Sequence, residues 1–318
     1  MIRIITDSTC DLSDEVLEKH RITMVPLYVT LGETTYRDRV DIQPDDFYKV
    51  IEKEDTIKTA NPSPEDFLKA FEEAVKEGAD EIVCINMSSG TSGSYQAAVL
   101  GRELFFERNF ESAVKIRVID SISMSHGTGW LVLKGARLLE EGAGYEDIID
   151  FLEMYKGHMK HYLSVDDLDH LIRSGRLTNA SAFIGKMLKL KPIMTMKNTK
   201  GAIVAKERGR KKVLGHYIRE FKARADLDIT DFVIIGYTSD RMVAENLKQK
   251  LEAETDFTGE IMIMQMGVSV GAHVGLGGIA CYFVEKGHQP DGILINEYKQ
   301  FLEAKEEMKK RLKSFKKS

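Results

Sequence analysis

A chain of 318 residues with 43% hydrophobic and 30% charged side chains is long enough for about two domains and a sizeable core. Its net charge of −5 gives no footprint for nucleic acid, and no apolar run approaches the ~18 residues a membrane span needs. The N-terminus enters directly as a strand, with no charged-then-apolar leader, so the expectation is a cytoplasmic protein without stable membrane insertion. Cys10, Cys84 and Cys281 are odd in number, far apart and outside any C-x-x-C pair, which argues against a disulfide framework or a zinc knuckle.

In chain order, residues 2–6 read as a strand that ends in Asp7-Ser8-Thr9-Cys10-Asp11. Ligands of open α/β sheets bind beyond the carboxyl ends of strands, which makes Asp7 and Ser8 candidate pocket residues. Organising the turn is the other role open to them, with Ser13 capping a helix over 14–20. Residues 22–30 read as one strand, demoted to an edge or a bulge by Pro26, followed by a hairpin into 34–36 and a short helix over 42–51. Ser63-Pro64-Glu65-Asp66 is a helix start, and Phe67, Leu68, Phe71, Ala74 and Val75 form its buried stripe. Thr59-Ala60-Asn61 is left over, an extended segment stiffened by Pro62 that presents the Thr59 hydroxyl.

Residues 81–98 carry the central signal. An apolar strand over 82–87 runs into Ser88-Ser89-Gly90-Thr91-Ser92-Gly93-Ser94 and then into a helix with Tyr95, Ala98 and Val99 at helical spacing. The free N–H groups and positive end of such a helix, with the nearby hydroxyls, suit an anionic head group, and a tight turn capped by Ser92 or Ser94 is the structural alternative. No lysine follows Gly93, so the loop is not a Walker A motif. Gly90-Thr91-Ser92-Gly93-Ser94 also falls one glycine short of a nucleophile elbow, which keeps a serine hydrolase as the alternative.

A strand over 114–119 ends in Asp120-Ser121, and helices follow over 123–140 and 147–158. Alternation of strands and helices through about residue 160 is the pattern of a doubly wound, mostly parallel sheet. His158 and His161 read as surface residues capping a helix end, since no third ligand stands at metal-binding spacing. In the second half, a short helix over 165–174 ends at Gly175 with Arg176 beyond it, and residues 179–188 read as an apolar helix. Strands over 190–196, 202–205, 232–237, 260–266 and 279–284, with Gly201 marking a turn and helices over 213–225 and 241–253, suggest a mixed sheet. Residues 267–278, GVSVGAHVGLGG, read as a flexible loop delivering one imidazole, His273; they precede a strand, not a helix, which removes them as a dinucleotide fingerprint. Residues 296–315 read as a basic amphipathic helix.

Asp7-Ser8-Thr9-Cys10-Asp11-Leu12, Thr59-Ala60-Asn61-Pro62-Ser63-Pro64, Ser92-Gly93-Ser94-Tyr95-Gln96-Ala97-Ala98, Asp120-Ser121, Leu168-Asp169-His170-Leu171 with Gly175-Arg176, Lys191-Pro192-Ile193 and Gly271-Ala272-His273 stand in an order that resembles the DegV family. That family includes the fatty-acid-binding subunit of bacterial fatty acid kinase, and the resemblance runs from about residue 3 to residue 285. It implies a two-lobed α/β fold, and the pattern of elements divides the chain into an N-terminal lobe over 1–160, a mixed C-terminal lobe over 161–285 and a helical extension over 286–318 that lies outside the resemblance. The implied ligand is one long-chain fatty acid, such as palmitate, in an apolar tunnel between the lobes. Its carboxylate would be held by the Thr59 and Ser92 hydroxyls, the N–H groups around Gly93 and Ser94, and His273. Arg176 and Arg208 would lie near the carboxylate or on a partner face. The implied partner is a separate ATP-using kinase subunit that makes the acyl phosphate, with no catalytic residue, metal or further cofactor in the binder itself. Ala60-Asn61 replaces the family's Ser-Gln, and Ser174 replaces the first glycine of Gly-Gly-Arg. In the hydrolase alternative Ser92 is the nucleophile and His273 the base, oriented by Asp120 or Asp7.

Overall fold

The computed structural model describes residues 1–53, 56–178 and 190–287. The first lobe opens with β1 (Ile2–Asp7), a 3-10 turn and α1 (Asp14–Lys19), whose N–H groups are met by the Ser13 hydroxyl as expected. Pro26 does more than mark an edge: it ends β2 (Thr23–Val25), which runs parallel to β1, and the chain restarts as β3 (Tyr28–Leu31) in a different sheet. A residue without an N–H and with fixed φ cannot continue a ladder, so the single strand expected over 22–30 is two. β3 pairs antiparallel with β4 (Thr34–Arg37) and, after α2 (Pro44–Val50), with β5 (Ile57–Ala60).

α3 (Pro64–Lys76) begins in a full capping box between Ser63 and Asp66. β6 (Glu81–Asn86), α4 (Ser94–Arg108), β7 (Lys115–Asp120), α5 (His126–Glu140) and α6 (Tyr145–Tyr155) complete the lobe. Its sheet is all parallel in the order β2-β1-β6-β7, with α3 and α4 covering one face and α5 and α6 the other, the doubly wound arrangement expected.

The second lobe starts with β8 (Met159–Ser164), which places His161 inside a strand, buried, instead of on a helix end. α7 (Asp169–Ser174) stops at Gly175 in the left-handed region, φ 70°. β9 (Leu190–Lys197) and β10 (Lys200–Arg208) form a hairpin whose turn is Asn198-Thr199, both at positive φ, so Gly201 lies within the strand and does not make the turn. α8 (Arg210–Arg224), β11 (Phe232–Tyr237), α9 (Arg241–Glu254), β12 (Glu260–Gln265), α10 (Val268–Val274) and β13 (Ile279–Val284) follow. The sheet is mixed, in the order β10-β9-β8-β13-β11-β12. The glycine-rich stretch over 267–278 is thus largely a helix, α10, and not a flexible loop. The expected helices over 179–188 and 296–315, and nearly all of the extension from 286, lie outside the described residues.

α5 is the wedge between the lobes. One apolar core joins its Trp130, Leu131, Val132 and Leu133 to Ile4, Val83 and Ile85 of the parallel sheet and to Phe232, Ile234, Ala280 and Tyr282 of the mixed one. Trp130 is fully buried, stacks on Phe232 with ring centroids 4.9 Å apart and donates its indole N–H to the Phe232 carbonyl at 2.9 Å. Trp130→Ala should lower the unfolding free energy by about 3–5 kcal/mol, because it opens a cavity between two sheets that cannot both collapse into it. Urea titration followed by far-ultraviolet circular dichroism checks this; a loss under about 1 kcal/mol would show that α5 does not join the lobes.

Candidate functional site

A single wedge helix leaves space beside it, and a cavity lies there, between the lobes. It encloses about 140 Å³ for the centres of water molecules, room for on the order of ten waters. Its polar rim comes from four places: Thr59, Ala60 and Asn61 around the end of β5, Thr91, Ser92 and Gly93 from the turn after β6, Arg176 beyond α7, and His273 on α10. Ala60, Asn61 and Gly93 are exposed, so this end faces solvent. The rest of the lining is mainly apolar, including the buried Met87, Met194, Met266, Val274 and Tyr282. Methionines conform to irregular and flexible contents better than branched side chains do.

At the rim, Thr59 Oγ1 and His273 Nε2 lie 2.8 Å apart. Burial, reinforced by the positive Arg176 and by His170, pushes the His273 pKa down to about 4, so the imidazole is neutral at pH 7. Ser92 Oγ accepts the Ser94 N–H at 3.2 Å, which leaves the Ser92 O–H proton available. The Gly93 N–H, just before α4, donates to no acceptor among the described residues. A Cβ on Gly93 would stand 2.9 Å from Asn61 Oδ1, so a larger residue here would displace the Asn61 side chain. Arg176 is tethered by its own side chain to the Ser174 carbonyl at 2.5 Å and to the Thr91 carbonyl at 3.4 Å, which keeps its charge beside the turn. Hydroxyls, a free N–H, a neutral imidazole and a guanidinium converge there: the donor set of an anion site.

Buried carboxylates hold these pieces in place. Asp7, at the end of β1, accepts hydrogen bonds from the Thr9 N–H and hydroxyl, Asn86 Nδ2, the Met87 N–H and Ser94 Oγ, tying β1, β6 and α4 together. Asp11 accepts the Gly267 N–H at 2.8 Å and Ser125 Oγ at 2.5 Å. Asp38 accepts the N–H groups of Val268 at 3.1 Å and Ser269 at 3.2 Å and the Ser8 hydroxyl at 2.8 Å. Burial pushes the Asp11 carboxyl up to about 8 and raises Asp38 as well.

Of the residues expected at the site, Thr59, Ser92, Gly93, His273 and Arg176 meet around one cavity. Ser94 does not line it: its side chain is buried against Asp7 and its N–H is taken by Ser92. Gly93, not either serine, occupies the position before the first helical turn. Arg208 is exposed at the end of β10, paired in register with Leu190, and is absent from the lining, so a carboxylate role for it is not supported by its place in the fold. Asp7 and Ser8 act behind the wall, not in it. Asp38 and His161 went unrecognised; Asp38 carries no local pattern that announces a helix cap 230 residues away.

The hydrolase arrangement is not assembled. No hydrogen bond joins Ser92 to His273, whose ring partner is Thr59. Asp7 is occupied as described, and Asp120 accepts the N–H groups of Ser89 and Ile122. Neither orients His273 as a triad acid must.

Two sheets sharing one helix, with a polar-rimmed apolar chamber between them, define a two-lobed α/β protein built around an internal cavity. The family model described as "Uncharacterised protein, DegV family" matches residues 1–286, and the chain belongs to the DegV family. A DegV domain-containing protein of Clostridium acetobutylicum is 33% identical over 286 residues, 90% of this chain and 99% of that protein. One of Caldanaerobacter subterraneus is 31% identical over the same shares. Among solved structures, a DegV family protein of Thermus thermophilus, described as binding fatty acid, superposes with a TM-score of 0.80 at 31% identity, covering 90% of this chain and 99% of that one. DegV of Bacillus subtilis, described as a fatty acid binding protein, gives 0.78 at 30% identity over the same shares. A stearic acid-binding protein of Eubacterium ventriosum gives 0.76 at 30%, again over 90% and 99%.

The buried histidines make stability depend on pH. Burial lowers His126 and His161 to about 3 and His273 to about 4, so the unfolded chain takes up protons below about pH 6.5 that the folded one refuses. Their contribution is complete above about pH 6.5 and is lost as pH falls toward 4. Asp11 acts oppositely: with its folded pKa raised to about 8, its contribution is present at low pH and lost as pH rises through that range. Asp11→Asn removes the opposing effect, so the urea midpoint should fall more steeply between about pH 6.5 and pH 4.5 than in the parent protein; parallel curves would show that Asp11 does not carry its proton there.

Proposed function

We propose that this protein binds one long-chain fatty acid, with the acyl chain in the chamber and the carboxylate at the rim, and offers that carboxylate to a separate ATP-using subunit that phosphorylates it. The observation that carries this reading is the pairing of Thr59 with His273, flanked by Ser92, the Gly93 N–H and Arg176, at the exposed mouth of an otherwise mainly apolar cavity. The fatty-acid-binding relatives at 30% and 31% identity support it.

Burying a ~16-carbon chain at ~0.8 kcal/mol per CH₂ contributes on the order of 10 kcal/mol, whereas each charge-assisted hydrogen bond returns only ~1.5–3 kcal/mol. The tail therefore sets affinity, and the rim offsets the cost of taking a carboxylate out of water. In this reading Thr59 relays the imidazole: His273 Nε2–H donates to Thr59 Oγ1, whose own proton then points to the ligand. A carboxylate held at an exposed rim is accessible to a second protein, which is the geometry presentation requires. Three buried, unpaired cysteines fit a reducing compartment such as the cytoplasm.

Organic extracts of the purified protein should contain a long-chain fatty acid by mass spectrometry. The double variant Thr59→Ala, Ser92→Ala should bind it at least about tenfold more weakly, by loss of two hydrogen bonds to a charged group. His273→Ala should weaken binding similarly. Affinity within about twofold of the parent for both variants, measured by calorimetry, would refute the rim as the head-group site.

A further inference from the structure

The wall of the chamber is not uniformly apolar. His161, on β8, lines it and is only 5% exposed, yet neither of its ring nitrogens has a hydrogen-bond partner. Ser123 Oγ, close by, is also buried and unpaired. The two meet at Gly127, where a Cβ would stand 3.0 Å from His161 Nδ1 and overlap Ser123 Oγ, so the missing side chain lets both polar groups close on the helix backbone. Tyr282 stands opposite His161 in the sheet register, with ring centroids 5.7 Å apart, and supplies no hydrogen bond to it.

Buried polar atoms are paired in the great majority of folded proteins, and an unpaired one needs an explanation. Burial keeps the His161 ring neutral, so it offers one N–H donor and one bare nitrogen acceptor. A methylene chain answers neither and a ketone only the first. A hydroxyl, which both donates and accepts, answers either nitrogen.

We propose that the acyl chain this chamber takes carries a hydroxyl group along its length, held by His161 near the Ser123 hydroxyl: the ligand class is a hydroxy fatty acid. The inference rests on the fatty-acid reading above and narrows it. Specificity then has two separate determinants. The rim recognises the carboxylate common to all fatty acids, and His161 recognises the position of an oxygen at a fixed depth below it.

Calorimetric titration of the delipidated full chain with stearate and a positional series of monohydroxystearates tests this. One isomer should bind at least as tightly as stearate, while isomers whose hydroxyl meets the apolar wall bind about tenfold or more weakly. His161→Leu should weaken the favoured isomer by about tenfold and tighten stearate, opposite changes that misfolding cannot produce. His161→Gln, which keeps a donor and an acceptor, should retain the preference. Uniform weakening across all isomers, or an isomer profile unchanged by His161→Leu, overturns the proposal and leaves the His161 nitrogens to a trapped water. Failure of stearate and every isomer to bind overturns the fatty-acid reading itself.

Discussion

Asp11 and Asp38, neither accessible to solvent, accept the N–H groups of Gly267, Val268 and Ser269 at the start of α10, and the position of His273 follows from that contact. A seven-residue helix with glycine and valine among its residues is unstable alone, since nucleation is costly and neither residue favours the helix. Two carboxyl groups at its start satisfy its unpaired donors. Both come from the first lobe, whereas α10 lies in sequence between two strands of the second. The helix is therefore anchored across the interface, and its apolar side, Val268 and Ala272, packs with Val29, Phe47 and Ile51 of the small antiparallel sheet and α2. This places His273 against Thr59, two residues whose separation in sequence gives no hint of the contact.

The arrangement has a cost, because two acidic groups are buried close together. Arg39 lies near both, its guanidinium reaching the Leu12 carbonyl and Asp14, and it lowers each of them. Burial still dominates and lifts both carboxyls. A protonated Asp11 keeps its carbonyl oxygen as an acceptor for the Gly267 N–H, so raising its pKa does not by itself release the helix.

Much of the fold was legible because each strand and helix of the parallel lobe announces itself locally. The Ser63 capping box, the apolar run ahead of Ser88 and the stop at Gly175 are all written within a few residues of where they act. Several misreadings share one physical origin, control by distant residues. Residues 267–274 look like a loop because their caps arrive from Asp11 and Asp38. His161 three residues after His158 looks helical, but Tyr282 and its neighbours pair with that segment as a strand. Pro26 was recognised as a disturbance, yet its consequence, a change of sheet, depends on where β5 and β4 lie. Motif order singled out Thr59, Ser92, Gly93 and His273, which line one cavity, whereas Arg208, expected near the carboxylate or on a partner face, lies outside that lining.

Serine, histidine and aspartate near one another do not make a hydrolase unless their hydrogen bonds run in series. Here they run apart. Asp7 gathers the turn's own donors, Ser92 receives the Ser94 N–H, and His273 turns to a threonine on another strand. A base held near pKa 4 is also a poor proton acceptor for a serine hydroxyl at neutral pH. The same neutrality suits a ring that has only to orient a hydroxyl toward an anion. With His273 turned to Thr59, the Ser92 hydroxyl has no base beside it, so it is a hydrogen-bond donor and not a nucleophile.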